Sequence, residues 1–407
     1  MKIVWRELQV TKGGYYQLLS GLALVILVAM GAVLYTEHNG HIVTGMNNQF
    51  VWGLPDVFSM FLMLAAAGAL SIALLASVFG KTEFRPLAPL SGVLAIALLI
   101  AGLTLLMLDL GRPDRVIVAM LHFNPKSVLA WNLMLYSGFV AFVALYLWTL
   151  LEHRMNRYTP WAISFAFIWR IALTTGTGSI YGFQVSRQAF DSALLAPMFI
   201  ALSLSYGLAV FVLVLLLAWQ GHDAPIGEAT LVRLARLQVI FIGVGFYFVL
   251  VYHLTNLYFT KHYDFERFIL LEGGVYTTLF WLGEVLLGSI LPFLLLLHPR
   301  IGQMRRRIVA STALVVLGGF AQLYVTIIGG QAFPLVLFPG RQVSSSFYDG
   351  VVNSYTPSLP EWLLGFGGIA IAGLIVMIAL KVIGFLPNRL DEAAPDSGLV
   401  KPALVST

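Results

Sequence analysis

Five ionisable side chains lie within, or at the ends of, long apolar stretches of the sequence. They are Asp56, Asp109, Arg170, His253 and Glu284. Charged groups in such segments are rare because their burial in hydrocarbon is costly. Carboxyl and imidazole groups can take up and release protons, and a guanidinium group can pair with a carboxylate. The sequence therefore suggests proton handling, or binding of a polar molecule, inside a largely apolar protein.

A first set of polar side chains lies where apolar segments reach one boundary of the hydrocarbon. Asp56 precedes Ser59 and Met60 by three and four positions, so the three share one helical face. Asn132 and Tyr136 also share a face, within about 12 Å of their segment's end. Such groups, flanked by aromatic rings, suit a quinone headgroup whose tail stays in lipid. The alternative is that each residue only caps or anchors a helix. The candidates from this reasoning are Asp56, Ser59, Met60, Asp109, His122, Asn132 and Tyr136.

A second set of ionisable groups lies deeper in the apolar segments. Arg170 is about 14 Å, and Glu284 about 12 Å, from the same face of the membrane at a rise of 1.5 Å per residue. Opposite charges at matching depth predict a buried ion pair, which would either fix helix packing or relay protons. His253 is the one histidine of eight inside an apolar segment. It is either a polar site or a satisfied packing residue. The predicted proton path is Arg170, His253 and Glu284.

The histidine and cysteine content argues against redox centres within this chain. A membrane b-type haem usually needs axial histidines on facing helices, and only His253 is suitably placed. The 407 residues include no cysteine, which excludes thiolate-bound iron–sulfur clusters. Phosphate-loop, HExxH and nucleophile-elbow motifs are also missing. We therefore expect no haem, iron–sulfur cluster or metal site in the chain.

The elements that must position these residues are transmembrane helices. Hydrophobic residues make up 59% of the chain and charged residues 11%, far from the composition of a soluble domain. A bilayer core needs about 20 apolar residues per helix, and ten segments qualify. They are Gln17–Tyr35, Leu54–Phe79, Leu87–Leu108, Val128–Leu151, Trp161–Ile180, Ala193–Trp219, Leu237–Phe259, Glu272–Leu297, Ile308–Ile328 and Trp362–Leu386. The predicted fold class is an all-α integral membrane protein.

The distribution of basic residues predicts the orientation. Of the 24 Lys and Arg, 16 lie on the side of the N-terminus and seven on the opposite side. By the positive-inside rule both termini are cytoplasmic. The basic residues lie in short loops, which is not a pattern for nucleic-acid binding. The expected organisation is a cytoplasmic segment (1–16), a membrane domain (17–386) and a disordered cytoplasmic tail (387–407).

Several motifs resemble those of NrfD/PsrC-like membrane subunits. The block Asp109-Leu110-Gly111-Arg112-Pro113-Asp114-Arg115, followed by Phe123-Asn124-Pro125-Lys126-Ser127 and Trp131, resembles the family signature. Gly45-Met46-Asn47-Asn48-Gln49, Trp52-Gly53-Leu54 and Trp281-Leu282-Gly283-Glu284-Val285-Leu286-Leu287-Gly288 are similar to the ten-helix branch. Within it, the chain looks most like DsrP-type subunits of sulfur-metabolism complexes, with HybB-type hydrogenase subunits as the nearest rival.

The resemblance implies two four-helix bundles plus two further helices, and no redox centre in the subunit. It implies a quinone site at the outer face, with menaquinone or ubiquinone as the substrate. By position it adds Arg112 and Trp131 to the candidate site, although Arg112 could instead brace the loop against a partner. Met60 stands near the place of the family's histidine. Arg170 and Glu284 would belong to the second bundle.

The resemblance also implies partners and a location. A periplasmic ferredoxin-like iron–sulfur subunit would lie beside the quinone site. Further candidates are c-type and b-type cytochrome subunits and a cytoplasmic iron–sulfur subunit, all at the bacterial inner membrane. Two other functions remain compatible with the residues: a proton-coupled transporter, and a structural anchor that passes no electrons.

Overall fold

Within the residues that the structure describes, the fold is all-helical apart from one two-residue strand pair. The computed structural model describes residues 5–6, 12–219, 226–298, 305–335, 351–383 and 386–387. The α-helices are α1 Lys12–Asn39, α2 Leu54–Ala69, α3 Ser71–Ser77, α4 Ala88–Asp109, α5 Val116–Leu121, α6 Val128–Leu151, α7 Thr159–Gly182, α8 Leu195–Ala218, α9 Glu228–Tyr258, α10 Thr260–Arg267, α11 Val275–Thr278, α12 Leu291–Leu297, α13 Arg305–Tyr324, α14 Gly330–Ala332 and α15 Leu359–Val382.

Shorter elements connect or interrupt these helices. Four 3₁₀ turns are His41–Val43, Thr82–Leu87, Pro113–Arg115 and His153–Tyr158. Three π-helical segments are π1 Phe268–Glu272, π2 Leu279–Ile290 and π3 Val325–Gly329. Strand β1 (Trp5–Arg6) pairs antiparallel with β2 (Leu386–Pro387). The predicted disordered tail lies outside the described residues from 388 onwards.

Helix contacts divide the molecule into two groups and a flanking pair. The first helix group contains α2 to α7. The second contains α8, α9, the α11–π2–α12 helix and α13, together with the shorter elements α10, π1, π3 and α14 that pack on them. Helices α1 and α15 pack on each other, and α15 also packs on α2 and α4. All of α2 is buried, and its small residues let α8 approach closely. A Cβ atom on Gly68 would lie 1.6 Å from the Ser203 carbonyl oxygen of α8.

Within the described part of the chain, nine helices are long and apolar enough to span a membrane. The one predicted span that is not among these nine, Trp161–Ile180 with Arg170, is nevertheless part of a continuous 24-residue helix, α7. The all-α membrane fold class is confirmed. Predicted and observed ends agree within a few residues, except that α9 begins at Glu228, nine residues before the predicted Leu237. This extension carries Arg233 and Arg236, so helical structure continues past the apolar segment.

Candidate functional site

A large cavity lies at the end of the first helix group opposite the N-terminal end of α1, here called the outer end. Its volume is about 850 Å³, which is within the size range of small-molecule sites. Leucine side chains of α4 and α6 form one part of its wall. The predicted residues that line it are Asp56, Ser59, Met60, Asp109, Asn132 and Tyr136.

Two carboxyl groups form the polar end of this cavity. Asp56 lies in the first turn of α2, where its Oδ2 accepts the Gly53 N–H at 3.0 Å and so caps the helix. Asp109 is the last residue of α4. Both carboxyl groups line the cavity and interact with each other, and two neighbouring acids can share a proton. A molecule bound here would meet both proton acceptors and proton donors.

The other polar side chains of the wall hold the helices together. Ser59 Oγ donates to the Gly102 carbonyl oxygen of α4 at 2.7 Å. Asn132 Nδ2 donates to the Gly176 carbonyl oxygen of α7 at 3.0 Å and to Val128 in its own helix at 2.9 Å. Because these donors are already used, the two residues shape the cavity rather than offering it a free N–H or O–H. Tyr136 is one turn further in.

Three of the predicted site residues lie outside the cavity lining. Arg112 is exposed and forms an ion pair with Asp114, with Nε 3.1 Å from Oδ1, and this hydrogen bond raises the pKa of Arg112. His122 Nδ1 bonds the Val118 carbonyl oxygen at 3.1 Å. Trp131 Nε1 donates to the Pro125 carbonyl oxygen at 2.6 Å. All three contacts lie in the connection between α4 and α6 or join it to the first turn of α6.

Sequence reasoning missed several residues that line the cavity. The loop of residues 45–53, here called the roof loop, contributes Met46, Asn47, Asn48, Phe50, Val51 and Trp52. Tyr181 of α7 is buried beside them and meets the Trp52 ring edge-on, with centroids 5.1 Å apart. His41 lies on the 3₁₀ turn before the roof loop. The motifs between Gly45 and Leu54 marked this loop as a feature of the family, but the sequence of a loop does not predict where the loop lies in the fold.

The second helix group contains a chain of polar contacts that starts at its outer surface. The exposed Lys261 Nζ lies 2.5 Å from Asp191 Oδ2, and His262 Nε2 lies 3.8 Å from the same oxygen. His262 Nδ1 is 3.1 Å from Asn256 Oδ1. Burial lowers the pKa of His262, which favours the neutral ring.

The chain continues inward through Glu266. Asn256 Nδ2 donates to Glu266 Oε1 at 2.9 Å, and His253 Nδ1 lies 2.8 Å from Glu266 Oε2. Glu266 is fully buried. His253 is therefore hydrogen-bonded to a buried carboxyl group, a contact that fits both a polar site and a satisfied packing histidine. Sequence reasoning missed Glu266 because α10 is too polar to be a predicted span.

Glu284 lies between two small cavities beyond His253. Each measures about 20 Å³, which is room for roughly one water molecule. His253, Tyr252 and Thr326 line the cavity nearer the outer end, whereas Tyr206 and Ser205 line the other. Glu284 and Gln322 line both, and the Tyr206 hydroxyl donates to Gln322 Oε1.

The predicted Arg170–Glu284 ion pair is wrong. Arg170 Nη1 instead donates to Ser71 Oγ at 3.1 Å within the first helix group. Glu284 belongs to π2 in the second helix group, which packs against α13. Matching depth predicts only the position along the membrane normal, whereas the two side chains lie in different helix groups and so are apart in the plane of the membrane.

Comparisons with known proteins give matches that cover most of the chain. The family described as polysulphide reductase, NrfD matches residues 42–335. A Hdr-like menaquinol oxidoreductase integral membrane subunit from Archaeoglobus fulgidus is 29% identical, over 96% of this chain and 99% of that protein. A protein from Halobacterium salinarum that is named as a dimethyl sulfoxide reductase membrane subunit is 28% identical over 92% of each chain. A selenate reductase subunit from Mesobacillus selenatarsenatis is 23% identical over 96% of this chain and 98% of its own.

Proposed function

The chain belongs to the polysulphide reductase NrfD family, and from this premise we propose that it is the quinone-reactive membrane subunit of an oxidoreductase complex. The observation that carries the proposal is the outer cavity, which joins two adjacent carboxyl groups to an apolar wall. The menaquinol oxidoreductase name of the archaeal relative supports a quinone as the substrate.

The two carboxyl groups would handle the protons of the quinone reaction. Oxidation of a quinol releases two electrons and two protons. One quinol hydroxyl group would donate its proton to whichever of Asp56 and Asp109 is ionised, the second proton would leave to water at the mouth of the cavity, and the two electrons would pass to a partner. In the reverse direction, a protonated carboxyl group of the pair would donate to one quinone carbonyl oxygen and water would supply the second proton. Tyr136 and Tyr181 form the wall against which the ring packs.

The electrons would pass to or from another subunit, because the chain has no cysteine to bind an iron–sulfur cluster. We propose a ferredoxin-like iron–sulfur partner on the outer, periplasmic side, next to the cavity. Cytochrome and cytoplasmic iron–sulfur subunits would complete the complex at a bacterial inner membrane, with both termini of this chain cytoplasmic. A DsrP-type role in sulfur metabolism is the finer proposal, and a HybB-type hydrogenase role is its rival.

The second helix group is proposed to carry protons. The contacts lead from Lys261 and Asp191 through His262, Asn256 and Glu266 to His253, and then across the small cavities to Glu284 and Tyr206. Proton relays in membranes use chains of such groups. Arg170, with its bond to Ser71, lies outside this chain of contacts.

Binding of a quinone analogue tests the proposed site. The full chain in lipid nanodiscs should bind the analogue, and Asp56→Asn should raise its Kd about tenfold, because the amide cannot accept a proton and donates to its neighbours instead. Asp109→Asn should have a similar effect. Asp264→Asn is the matched control, because Asp264 is an exposed carboxylate on α10.

Two results would count against this site. If wild-type protein does not bind the analogue, the quinone function is wrong. If it binds and neither aspartate variant changes the Kd, the carboxyl groups are not part of the site.

A proton-coupled transporter remains the alternative, since the polar chain of the second helix group would serve it equally well. It predicts substrate flux in proteoliposomes that contain this chain alone. The quinone proposal predicts no such flux and requires the redox partner for turnover.

A further inference from the structure

The roof loop of the outer cavity is held in place mainly by residues from far along the chain. Gln331, which is 1% exposed on α14, makes the central contacts. Its Oε1 accepts the N–H groups of Val51 at 2.8 Å and Trp52 at 3.0 Å. Its Nε2 donates to the carbonyl oxygens of Trp52 at 2.9 Å and Ile327 at 3.0 Å. One side chain thus satisfies three backbone groups of the roof loop.

Arg187 and Gln49 reinforce the same junction. Arg187 Nη2 donates to the Gln49 carbonyl oxygen at 2.8 Å, and Nη1 to that of Gln331 at 3.2 Å. Gln49 Nε2 donates to the carbonyl oxygens of Gln331 and Ala332 at 3.0 and 3.1 Å. Side chains from each part therefore bond the backbone of the other: Gln331 bonds the roof loop, and Gln49 of the loop bonds α14.

The two ends of the roof loop are fixed by a separate pair of residues. The Tyr355 hydroxyl accepts the Leu54 N–H at 2.7 Å and donates to Glu361 Oε1 at 2.5 Å. Glu361 Oε2 accepts the Gly45 N–H at 2.9 Å. With both ends held this way, the bonds of Gln331 set the position of the middle of the loop.

That middle part lines the cavity. Asn47, Asn48, Phe50, Val51 and Trp52 all contribute to its wall. The N–H groups of Val51 and Trp52 are part-buried in these bonds, so without the Gln331 acceptor they would have to move to reach another acceptor or water. A change at Gln331 would therefore move Val51 and Trp52, and with them the wall that faces the bound molecule.

We propose that Gln331 is a positioning residue of the quinone site, acting from the second helix group through Val51 and Trp52. The inference rests on the proposed quinone function. It makes the site a product of both helix groups, although the carboxyl groups and most of the wall belong to the first. Gln331 does not touch the cavity itself, so its effect on binding passes through the roof loop.

The test compares quinone-analogue binding by three variants of the full chain in nanodiscs. Gln331→Met keeps the length of the side chain but removes all four bonds, and its Kd should rise about tenfold. Gln331→Glu, assayed at a pH where the introduced carboxyl group is protonated, keeps the acceptor for Val51 and Trp52 and a donor for one carbonyl oxygen, so its Kd should rise by about threefold or less. Gln184→Met is the control, because both hydrogen bonds described for Gln184 involve its backbone: its N–H donates to the Tyr181 carbonyl oxygen, and its carbonyl oxygen accepts the Arg187 N–H.

The outcomes separate this inference from the function on which it rests. Absence of binding by wild-type protein would overturn the quinone function. Normal binding by wild-type protein and by Gln331→Met would overturn only the positioning role. If neither Gln331 variant yields folded protein while Gln184→Met does, Gln331 is a structural residue and the inference is wrong.

Discussion

Tyr355 links two parts of the protein through a single hydroxyl group. It accepts from Leu54 and donates to Glu361, and all three groups are buried or nearly so. Removal of the hydroxyl leaves the Leu54 N–H without its acceptor and Glu361 Oε1 without its donor. At the scale of single residues, stability outside the apolar packing depends on a few such shared atoms.

The first prediction at this scale concerns pH. Burial and the Glu361 carboxylate raise the pKa of Tyr355, above the unfolded value of about 10. The native state therefore binds this proton more tightly than the unfolded state does. The resulting stability is complete below pH 10 and is lost as the pH rises above it. We expect the thermal midpoint of wild-type protein to fall more steeply above pH 10 than that of Tyr355→Phe.

The same variant should also be less stable at neutral pH, by about 1–3 kcal/mol for the buried groups that lose their partners. Tyr35→Phe is the control, because Tyr35 is 52% exposed. Parallel curves for Tyr355→Phe and wild type above pH 10 would contradict the proposed ionisation effect.

Residue types and spacing identified the carboxyl groups of the site but not all of their neighbours. Asp56 and Asp109 were recognisable because they stand at the ends of apolar segments. Tyr181 was not, since nothing in the sequence shows that its face of α7 is turned towards Trp52 of the roof loop. The ion pair predicted for Arg170 is wrong for a similar reason. The position of a residue in its segment predicts its depth in the membrane, but it does not predict which neighbouring helix the side chain faces.

At the scale of elements, the second helix group differs from the first in its π-helical segments. Residues of all three line the small cavity beside His253: Ile269 of π1, Glu284 of π2, and Val325 and Thr326 of π3. Such segments are rare and occur often at functional sites. Hydropathy predicted where these spans begin and end, because length and apolarity determine that. It carries no information about the helical repeat, so the π segments were not predictable.

A close glycine contact keeps π2 and α13 together. A Cβ atom on Gly318 would lie 2.0 Å from the Gly288 Cα atom, so the helices would have to separate. We expect Gly318→Ala to lower the free energy of unfolding by about 1–3 kcal/mol. A thermal melt followed by circular dichroism should show this as a lower midpoint. The substitution should also disturb the cavity beside Glu284, which Gly318 lines.

The matched control for this contact is Gly21→Ala on α1, where a Cβ atom would meet nothing within 4 Å. It should leave stability unchanged or slightly increased, because alanine favours the helix. Equal melting of Gly318→Ala and Gly21→Ala would show that the π2–α13 contact tolerates separation.

At the scale of the whole molecule, the two helix groups have different chemistry. The first surrounds a large cavity with an apolar wall, and the second has a chain of polar contacts with room for only small molecules such as water. The α8 helix of the second group also packs against α2 and α7 of the first. If the quinone proposal is right, the quinone reaction with its own protons and the longer proton path occupy separate halves of one chain.

Glu284→Gln tests this separation in the assembled complex. The amide cannot carry a proton, so we expect quinol turnover to continue while the number of protons moved per electron falls. Glu272→Gln is the control, because Glu272 is 54% exposed and paired with Arg267 on the surface. An unchanged proton-to-electron ratio in Glu284→Gln would remove Glu284 from the path, and failure to insert would assign it a structural role.

The bonds that hold the roof loop also determine when the cavity can be completed during synthesis. Trp52 bonds a residue 279 positions later, and Leu54 one 301 positions later. The first helix group will have left the ribosome and entered the membrane well before Gln331 and Tyr355 exist. A nascent or truncated chain therefore carries the carboxyl groups without a finished binding site. Such a chain would have little capacity to withdraw quinol from the membrane before the subunit is whole.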